Sequence, residues 1–142
     1  MTATDWNQKT IEEFHAKKGR GIGRWQDNLL LMTAKGSKSG EKITTPLIYR
    51  RDGDNLVVVA SKGGAPNHPQ WLRNLETNPV VEIEVANDGG TEKFKANAKA
   101  LMSGPERDRL FEYMTGVWPD YANYQKRTER LIPVVILEPV QG

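Results

Sequence analysis

The sequence predicts a mainly β domain in which six strands form an antiparallel barrel, closed or partly split, with a few flanking helices. Strand-sized apolar runs recur along the 142 residues, and turn sequences such as DGDN and NDGG join several of them as hairpins. Helical segments are few, which argues against a Rossmann sheet. Since no repeat or linker divides the chain, we expect one domain over residues 1–142, with a helix within residues 1–18 and the barrel over residues 28–140.

An amphipathic helix is predicted over residues 4–18. Its apolar residues recur at helical spacing among charged ones, at Trp6, Ile11 and Phe14. Thr4 or Asp5 can serve as its N-cap, and Gly19 ends it. We expect this helix to pack on the barrel. Attachment to a membrane surface is the alternative that an amphipathic helix leaves open.

Three consecutive antiparallel strands follow the glycine-rich connector GRGIGRWQD. They are predicted over residues 28–34, 42–51 and 56–60, joined by the turns KGSKSG and DGDN. A helix is then expected over residues 69–77. Proline is favoured in a first helical turn, and Asn78 with Pro79 ends the element.

The second half of the chain supplies three more strands and two helices. Residues 80–86 alternate apolar side chains with glutamate, and the turn NDGG joins them to a strand over residues 91–101. Ser103 and Glu106 have capping-box spacing and predict a helix that stops before Pro119. A short helix over DYANYQKRT and a β-branched final strand, residues 132–137, complete the prediction.

Composition excludes several classes of site. The absence of cysteine rules out disulfides, thiolate metal sites and cysteine nucleophiles, and is compatible with the cytoplasm. Two histidines, His15 and His68, lie far apart without the spacing of a metal site, so we expect no metal. The net charge of +2 is spread along the chain and predicts no nucleic-acid partner. The apolar runs are only as long as strands, so we expect no transmembrane helix. The polar N-terminal residues do not have the basic and then apolar order of a signal peptide.

The segment SKGGAP is the first candidate ligand site, because it follows an apolar strand and precedes a predicted helix. A helix N-terminus, backbone N–H groups and Lys62 would meet there and suit an anion. Gly63 and Gly64 can adopt positive φ and let a ligand approach closely, and Ser61 can donate a hydrogen bond. A mobile glycine-rich loop with a solvated lysine is the alternative. The residue order differs from that of a nucleotide-triphosphate loop.

The turn KGSKSG is a second candidate anion site, with charge and hydroxyl donors at Lys35, Ser37, Lys38 and Ser39. An ordinary hairpin with surface lysines is the alternative. Two such turns beside adjacent strands could face one ligand that carries several negative groups.

The segment WPDYANYQKRT collects aromatic side chains that suit a planar substrate. Tyr121 and Tyr124 share one side of a predicted helix, and their hydroxyl groups can supply a hydrogen bond or a proton. Core packing is the alternative for these rings. It applies most to Trp118, which precedes Pro119, and also to Trp71 on the helix after the glycines.

Three separated segments resemble, in order and spacing, the deazaflavin-dependent nitroreductase family: GSKSGEKITTPLIY, ASKGGAPNHPQWLRNLETNP and WPDYANYQKRTERLIPVVILEP. The resemblance extends over residues 29–139. It implies a split β-barrel related to the flavin-dependent pyridoxamine phosphate oxidases. It also implies coenzyme F420, an 8-hydroxy-5-deazaflavin with a phosphodiester and a polyglutamyl tail. These anionic groups would account for two basic turns.

The resemblance further implies roles for individual residues. Lys38 and Ser39 would meet the phosphate or the glutamyl tail, and Thr45 with Pro46 would border the cofactor channel. The remaining cofactor contacts would come from Ala60, Ser61, Lys62, Gly63, Trp71 and Asn74. The substrate face would be formed by Trp118, Tyr121 and Tyr124, of which the two tyrosines are the candidate catalytic residues.

Two positions depart from the best-known nitroreductase of the family, which has a tyrosine at the position of Trp118 and an arginine at that of Ile43. The first departure argues against nitroimidazole reduction. The second removes one expected cation, for which Lys42 could substitute.

The predicted activity is therefore hydride transfer from the C5 carbon of reduced deazaflavin to an electron-poor small molecule: a quinone, an enone or a nitroaromatic. The protein's tasks would be positioning and charge stabilisation. Tyr121, Tyr124 or solvent would supply the proton. An FMN-binding oxidoreductase and a non-catalytic cofactor-carrying module are the alternatives. A homodimer and peripheral membrane association stay open.

Overall fold

The computed structural model describes residues 5–22, 27–87 and 89–140, and the side chains of residues 5 and 6 lie outside the description. Within these ranges the helices are α1 (Asp5–Lys17), α2 (Gln70–Thr77), α3 (Pro105–Thr115) and α4 (Asp120–Lys126). The strands are β1 (Leu29–Lys35), β2 (Lys42–Ile48), β3 (Arg50–Asp52), β4 (Asn55–Val59), β5 (Val80–Asn87), β6 (Gly90–Leu101) and β7 (Val134–Pro139). The predicted mainly β class is confirmed.

All seven strands belong to one antiparallel sheet, in the order β2-β1-β5-β6-β7-β4-β3. β2 and β3 lie at opposite ends of this order, yet only Tyr49 separates them along the chain. The sheet must therefore curl until its two ends meet, which gives a half-open barrel. In the described structure β1 is the sole strand neighbour of β2, so the other edge of β2 stays unpaired.

The predicted strand over residues 42–51 is wrong in one respect, since the structure divides it into β2 and β3. Up to Tyr49, whose N–H donates to Asn28 O at 2.9 Å, the chain pairs with β1. From Arg50, opposite Val57, it pairs with β4. The pattern of apolar residues does not show where a strand changes its pairing partner from one strand to another. The sequence therefore predicted six strands where the structure has seven.

Two predicted helix ends have opposite outcomes. The first helix ends beside Gly19, as expected: Lys18 and Gly19 have φ values of 55° and 78°, so Lys18 is the first left-handed residue, and the N–H of Gly19 donates to Phe14 O at 2.9 Å. The capping box of Ser103 is wrong, because Gly104 occupies the N-cap of α3 and no side chain caps it. Pro105 follows as the first helical residue, where its fixed φ is favourable. Thr4, the other candidate cap, lies outside the described residues.

Alternate residues of β4 serve two apolar clusters. Leu56 and Val58 face the barrel interior, which α2 closes with Leu72 and Leu75. Val57 and Val59 face outward and pack against α3, α4 and the segment before β7. This second cluster fixes α4 beside the end of β4. Tyr121 and Tyr124 of α4 are thereby held next to the SKGGAP segment.

Helix α1 covers the outer face of β1. Phe14 is fully buried and packs with Ile22, Leu29 and Leu31, while Ile11 is partly buried against the same cluster. Packing on the barrel, the predicted arrangement, is what the structure shows for these side chains, whereas the side chain of Trp6 lies outside the description. Among the described residues, no helix combines the length and the apolar character needed to cross a bilayer.

Candidate functional site

A cavity of about 490 Å³ lies along the unpaired edge of β2. Its walls come from β2, the end of β4, the start of α2, helix α4 with the preceding Trp118, and one side of α1. This volume falls within the range of small-molecule and cofactor sites. The curl of the sheet therefore produces a site of ligand size where its two ends meet.

Nine of the residues predicted to bind cofactor or substrate line this one cavity: Thr45, Pro46, Ser61, Lys62, Gly63, Trp71, Trp118, Tyr121 and Tyr124. They come from three segments that are far apart in sequence. Four others do not line it: Lys38, Ser39, Ala60 and Asn74. The structure thus brings most of the predicted set together.

Asn74 holds the β1–β2 turn against α2. Its side chain is only 2% exposed, and its Oδ1 accepts hydrogen bonds from Ser37 N at 3.0 Å and Gln70 Nε2 at 3.3 Å. Ser39 Oγ accepts from Glu41 N at 3.1 Å within the same turn. The turn that carries Lys38 therefore lies beside the first residues of α2.

We call residues 61–65 the glycine loop. Lys62, Gly63 and Gly64 have φ values of 47°, 63° and 83°, so three consecutive residues are left-handed. The N–H groups of Gly64 and Ala65 donate to Ser61 O and Lys62 O at 2.9 and 3.1 Å. These two amides are used within the turn, and α2 begins only at Gln70. The predicted nest of free amides at a helix N-terminus is therefore wrong for this part of the loop.

The two loop glycines have different surroundings. A Cβ atom at Gly64 would lie 2.7 Å from Tyr124 O and 3.0 Å from Tyr124 Cα, whereas one at Gly63 would meet nothing within 4 Å. Gly64 is thus a contact point with α4, and Gly63 is the glycine that leaves space in the cavity.

Sequence reasoning missed Arg130, which holds the glycine loop from behind. Its Nε donates to Ala65 O at 2.8 Å and its Nη2 to Ser61 O at 2.7 Å. Its Nη1 lies 3.3 Å from Ala60 O and 2.9 Å from His68 Nδ1. The only signal in the sequence is an arginine shortly before the final strand, and this position does not reveal contacts with residues more than sixty positions away.

We call Trp118, Tyr121 and Tyr124 the aromatic wall. The two tyrosine rings meet edge to face, with centroids 6.0 Å apart, and Trp118 Nε1 donates to Tyr124 Oη at 3.3 Å. Tyr121 is only 4% exposed. Burial raises the pKa of Tyr121, and the neighbouring Tyr124 raises it further. Tyr121 therefore keeps its proton at neutral pH.

The backbone of β2 adds hydrogen-bonding groups to the cavity. Hydrogen-bonded positions alternate along an antiparallel pair of strands. Because Tyr49 is hydrogen-bonded to Asn28, every second residue before it in β2 also bonds to β1, and the residues between these direct their backbone N–H and C=O groups to the other edge of β2. Pro46 and Ile48 belong to this second set and line the cavity. Pro46 has no N–H to leave unpaired, which suits it to an edge strand.

Helix α1 also contributes to the cavity, through Asn7 and Thr10. Thr10 is 6% exposed. Neither residue was predicted as part of a site, because helical periodicity shows which side of α1 is apolar but not which part of the barrel that side covers.

The lining fits the deazaflavin that the resemblance predicts. Trp71 and Pro46 offer flat apolar surface to a planar heterocycle. Thr45 and Ser61 supply hydroxyl groups, and Lys62 supplies a cation for a polar or negatively charged part of the ligand. The open space at Gly63 lets a ligand approach the backbone.

Several known proteins are similar to this chain in sequence or in structure. The chain is 44% identical to an F420H2-dependent quinone reductase of Mycobacterium tuberculosis over 110 residues, 76% of this chain and 71% of the relative. A solved F420H2-dependent reductase, FDR-A, is 37% identical, with a TM-score of 0.69 over 78% of this chain and 94% of its own. A structure described as a domain-swapped dimer is 33% identical, with a TM-score of 0.71 over 94% and 98% of the two chains.

The family model of the F420H2-dependent quinone reductases matches residues 6–139, nearly the whole chain. The predicted split-barrel fold, the oxidoreductase class and coenzyme F420 are confirmed at the level of the family. The chain therefore belongs to the F420H2-dependent quinone reductase family.

Proposed function

We propose that this protein reduces a quinone to a hydroquinone with F420H2 in the cavity beside β2. The observation that carries the proposal is the convergence of nine predicted residues from three segments on one cavity, in a chain of this family. The residues assigned to the cofactor and the aromatic residues assigned to the substrate line the same space. A hydride can pass from the cofactor to the substrate only where one site holds both molecules in contact.

On the cofactor side, Lys62, Ser61 and Thr45 would bind the polar chain, while Pro46 and Trp71 would flank the ring. When bound, the reduced deazaflavin supplies a hydride at its C5 carbon. Lys38 and Ser39 do not line the cavity, but their turn lies next to α2. We therefore assign them to the phosphate or glutamyl tail outside the cavity. Asn74 then acts indirectly, by holding that turn.

On the substrate side, reduction of a quinone by two electrons consumes one hydride and one proton. Tyr124 Oη accepts a hydrogen bond from Trp118 Nε1, so the hydroxyl proton of Tyr124 is directed elsewhere and can be given to a substrate oxygen. Burial raises the pKa of Tyr121, which makes its hydroxyl a poorer proton donor than that of a free tyrosine. We assign the proton to Tyr124 and a hydrogen-bonding role to Tyr121.

The test is a panel of acceptors assayed with purified protein and F420H2, in which consumption of the reduced cofactor is followed by absorbance. We expect turnover with quinones, and with enones or nitroaromatics only more slowly. Turnover with no quinone, alongside rapid reduction of a nitroaromatic, would contradict the proposed substrate. Cofactor binding without turnover on any acceptor would favour the carrier module instead.

A homodimer and a cytoplasmic location are also proposed. The dimer is supported by the structural neighbour that is described as a domain-swapped dimer. Membrane attachment through α1 has less support, since Phe14 and Ile11 are used in packing on the barrel. Light scattering after size exclusion tests the dimer, and a monomer at all concentrations would exclude it.

A further inference from the structure

The glycine loop adopts a conformation that its sequence does not favour. Lys62 has φ of 47°, and it is one of two non-glycine residues with positive φ in the described structure, the other being Lys18. Non-glycine residues avoid this region because Cβ crowds the backbone, and they stay there only when their surroundings hold them. Contacts from the surrounding structure must therefore hold the glycine loop in the conformation in which Lys62 is strained.

Arg130 makes the contacts that can do so. A guanidinium group has five N–H donors, and Arg130 uses its three nitrogens on Ala60 O, Ser61 O, Ala65 O and His68 Nδ1. The three carbonyl groups flank the strained Lys62 on both sides. Burial and then the charge of Arg130 lower the pKa of His68, which keeps its ring neutral and able to accept.

These contacts distinguish Arg130 from an arginine that binds an anionic ligand. An anion-binding arginine presents a fork of N–H groups to its ligand, whereas four of the five donors of Arg130 are directed at the protein. Arg130 does not line the cavity, while Ser61 and Lys62, which it holds, do. Its effect on a ligand must therefore pass through the glycine loop.

Arg130 is itself fixed by a second set of hydrogen bonds. Gln125 Nε2 donates to Arg130 O at 2.8 Å, and Gln125 Oε1 accepts from Ile132 N and from Arg107 Nη2, both at 2.9 Å. Gln125 belongs to α4, which also carries Tyr121 and Tyr124. The backbone that bears Arg130 and the helix that bears the aromatic wall thus form one connected unit.

We propose that Arg130 is a positioning residue that holds the left-handed glycine loop so that Lys62 faces the cofactor. The proposal rests on the proposed function of the cavity. It predicts that loss of the Arg130 fork weakens cofactor binding although Arg130 does not touch the cofactor.

The test compares Arg130→Lys and Arg130→Gln with wild type, and uses Arg109→Lys as the matched control. Arg109 is exposed and pairs with Asp52 at 3.2 Å, away from the cavity. We expect F420 binding, measured by fluorescence quenching, to weaken about tenfold or more in both Arg130 variants. The control should bind as wild type does.

Two further readouts separate positioning from a general structural role. Hydrogen exchange at the Gly64 and Ala65 amides should accelerate about tenfold in Arg130→Lys, while amides of the β5–β6 hairpin keep their wild-type rates. In a Lys62→Ala background, Arg130→Lys should weaken F420 binding by less than about twofold, because both changes remove the same interaction.

The proposal is overturned if Arg130→Lys binds F420 and exchanges its loop amides as the control does, or if the two changes weaken binding additively. Unfolding of both Arg130 variants would show a global structural role and would also overturn it. If wild-type protein failed to bind F420, the proposed function of the cavity would fail. The exchange rates would still decide whether Arg130 holds the loop.

Discussion

Replacement of Gly64 by alanine tests how the glycine loop and α4 are packed. The new methyl group would meet two backbone atoms of Tyr124, at 2.7 Å from its O and 3.0 Å from its Cα. Backbone of a helix cannot rotate out of the way as a flexible side chain can. Helix α4 would have to shift as a unit, and Tyr121 and Tyr124 would shift with it.

Two costs contribute to the magnitude. A left-handed φ of 83° costs an alanine about 1–2 kcal/mol relative to glycine. Insertion of a methyl group into a packed contact costs about 1–3 kcal/mol more. We therefore expect Gly64→Ala to lower the free energy of unfolding by about 2–5 kcal/mol, a large share of the roughly 5–15 kcal/mol typical of a domain.

Gly63→Ala is the matched control, because its φ is 63° but its Cβ would meet nothing within 4 Å. It should lose only the backbone component, about 1–2 kcal/mol. Urea denaturation of both variants without cofactor measures the difference, which isolates the contact with α4. If Gly64→Ala were no less stable than Gly63→Ala, the inferred packing of the loop on α4 would be wrong.

Three other predictions concern the aromatic wall, α1 and His68. Tyr124→Phe should lower kcat for quinone reduction about 100-fold or more and leave the F420 Kd unchanged, since the hydroxyl that it removes donates the proton and bonds to Trp118 on the substrate side of the cavity; an unchanged kcat would assign the proton to solvent. Phe14→Ala should lower the free energy of unfolding by about 3–5 kcal/mol because a fully buried ring is removed, and a cost below about 1 kcal/mol in urea denaturation would contradict the packing of α1. Burial and then the charge of Arg130 lower the pKa of His68 in the folded state, while Glu76 raises it and Arg73 lowers it by lesser amounts. Between that lowered pKa and the ordinary value of about 6.5 the unfolded state binds more protons, so stability should rise with pH across this interval. Denaturation midpoints measured over this range should lose that part of the slope in His68→Gln, and an unchanged slope would show that His68 does not titrate with folding.

The local features of this fold could be predicted from the sequence because they depend on neighbouring residues. The DGDN and NDGG turns predicted two hairpins, and both form, as β3–β4 and β5–β6. The chain leaves α1 through Lys18 and Gly19, which both have positive φ, and glycine is the residue that adopts this conformation most readily. The separated segments that resemble a known family supplied most residues of the cavity.

The features that could not be predicted depend on distant contacts. Three such features join residues that are far apart in sequence. They are the change of pairing partner at Tyr49, the hydrogen bonds of Arg130 to the glycine loop, and the positions of Asn7 and Thr10 at the cavity. Gly64 shows the same limit. Its sequence context favours a ligand loop, but its surroundings make it a packing contact with α4.

The central claim is that the cavity between β2 and the glycine loop is the site where F420 binds. A fluorescence titration of F420 and FMN against wild type and Lys62→Ala tests it most directly. We expect wild type to bind F420 and to bind FMN far more weakly, and Lys62→Ala to lose F420 affinity about tenfold or more, because a charge-assisted contact is removed. Tight FMN binding without F420 binding, or an F420 affinity that does not change in Lys62→Ala, would contradict it.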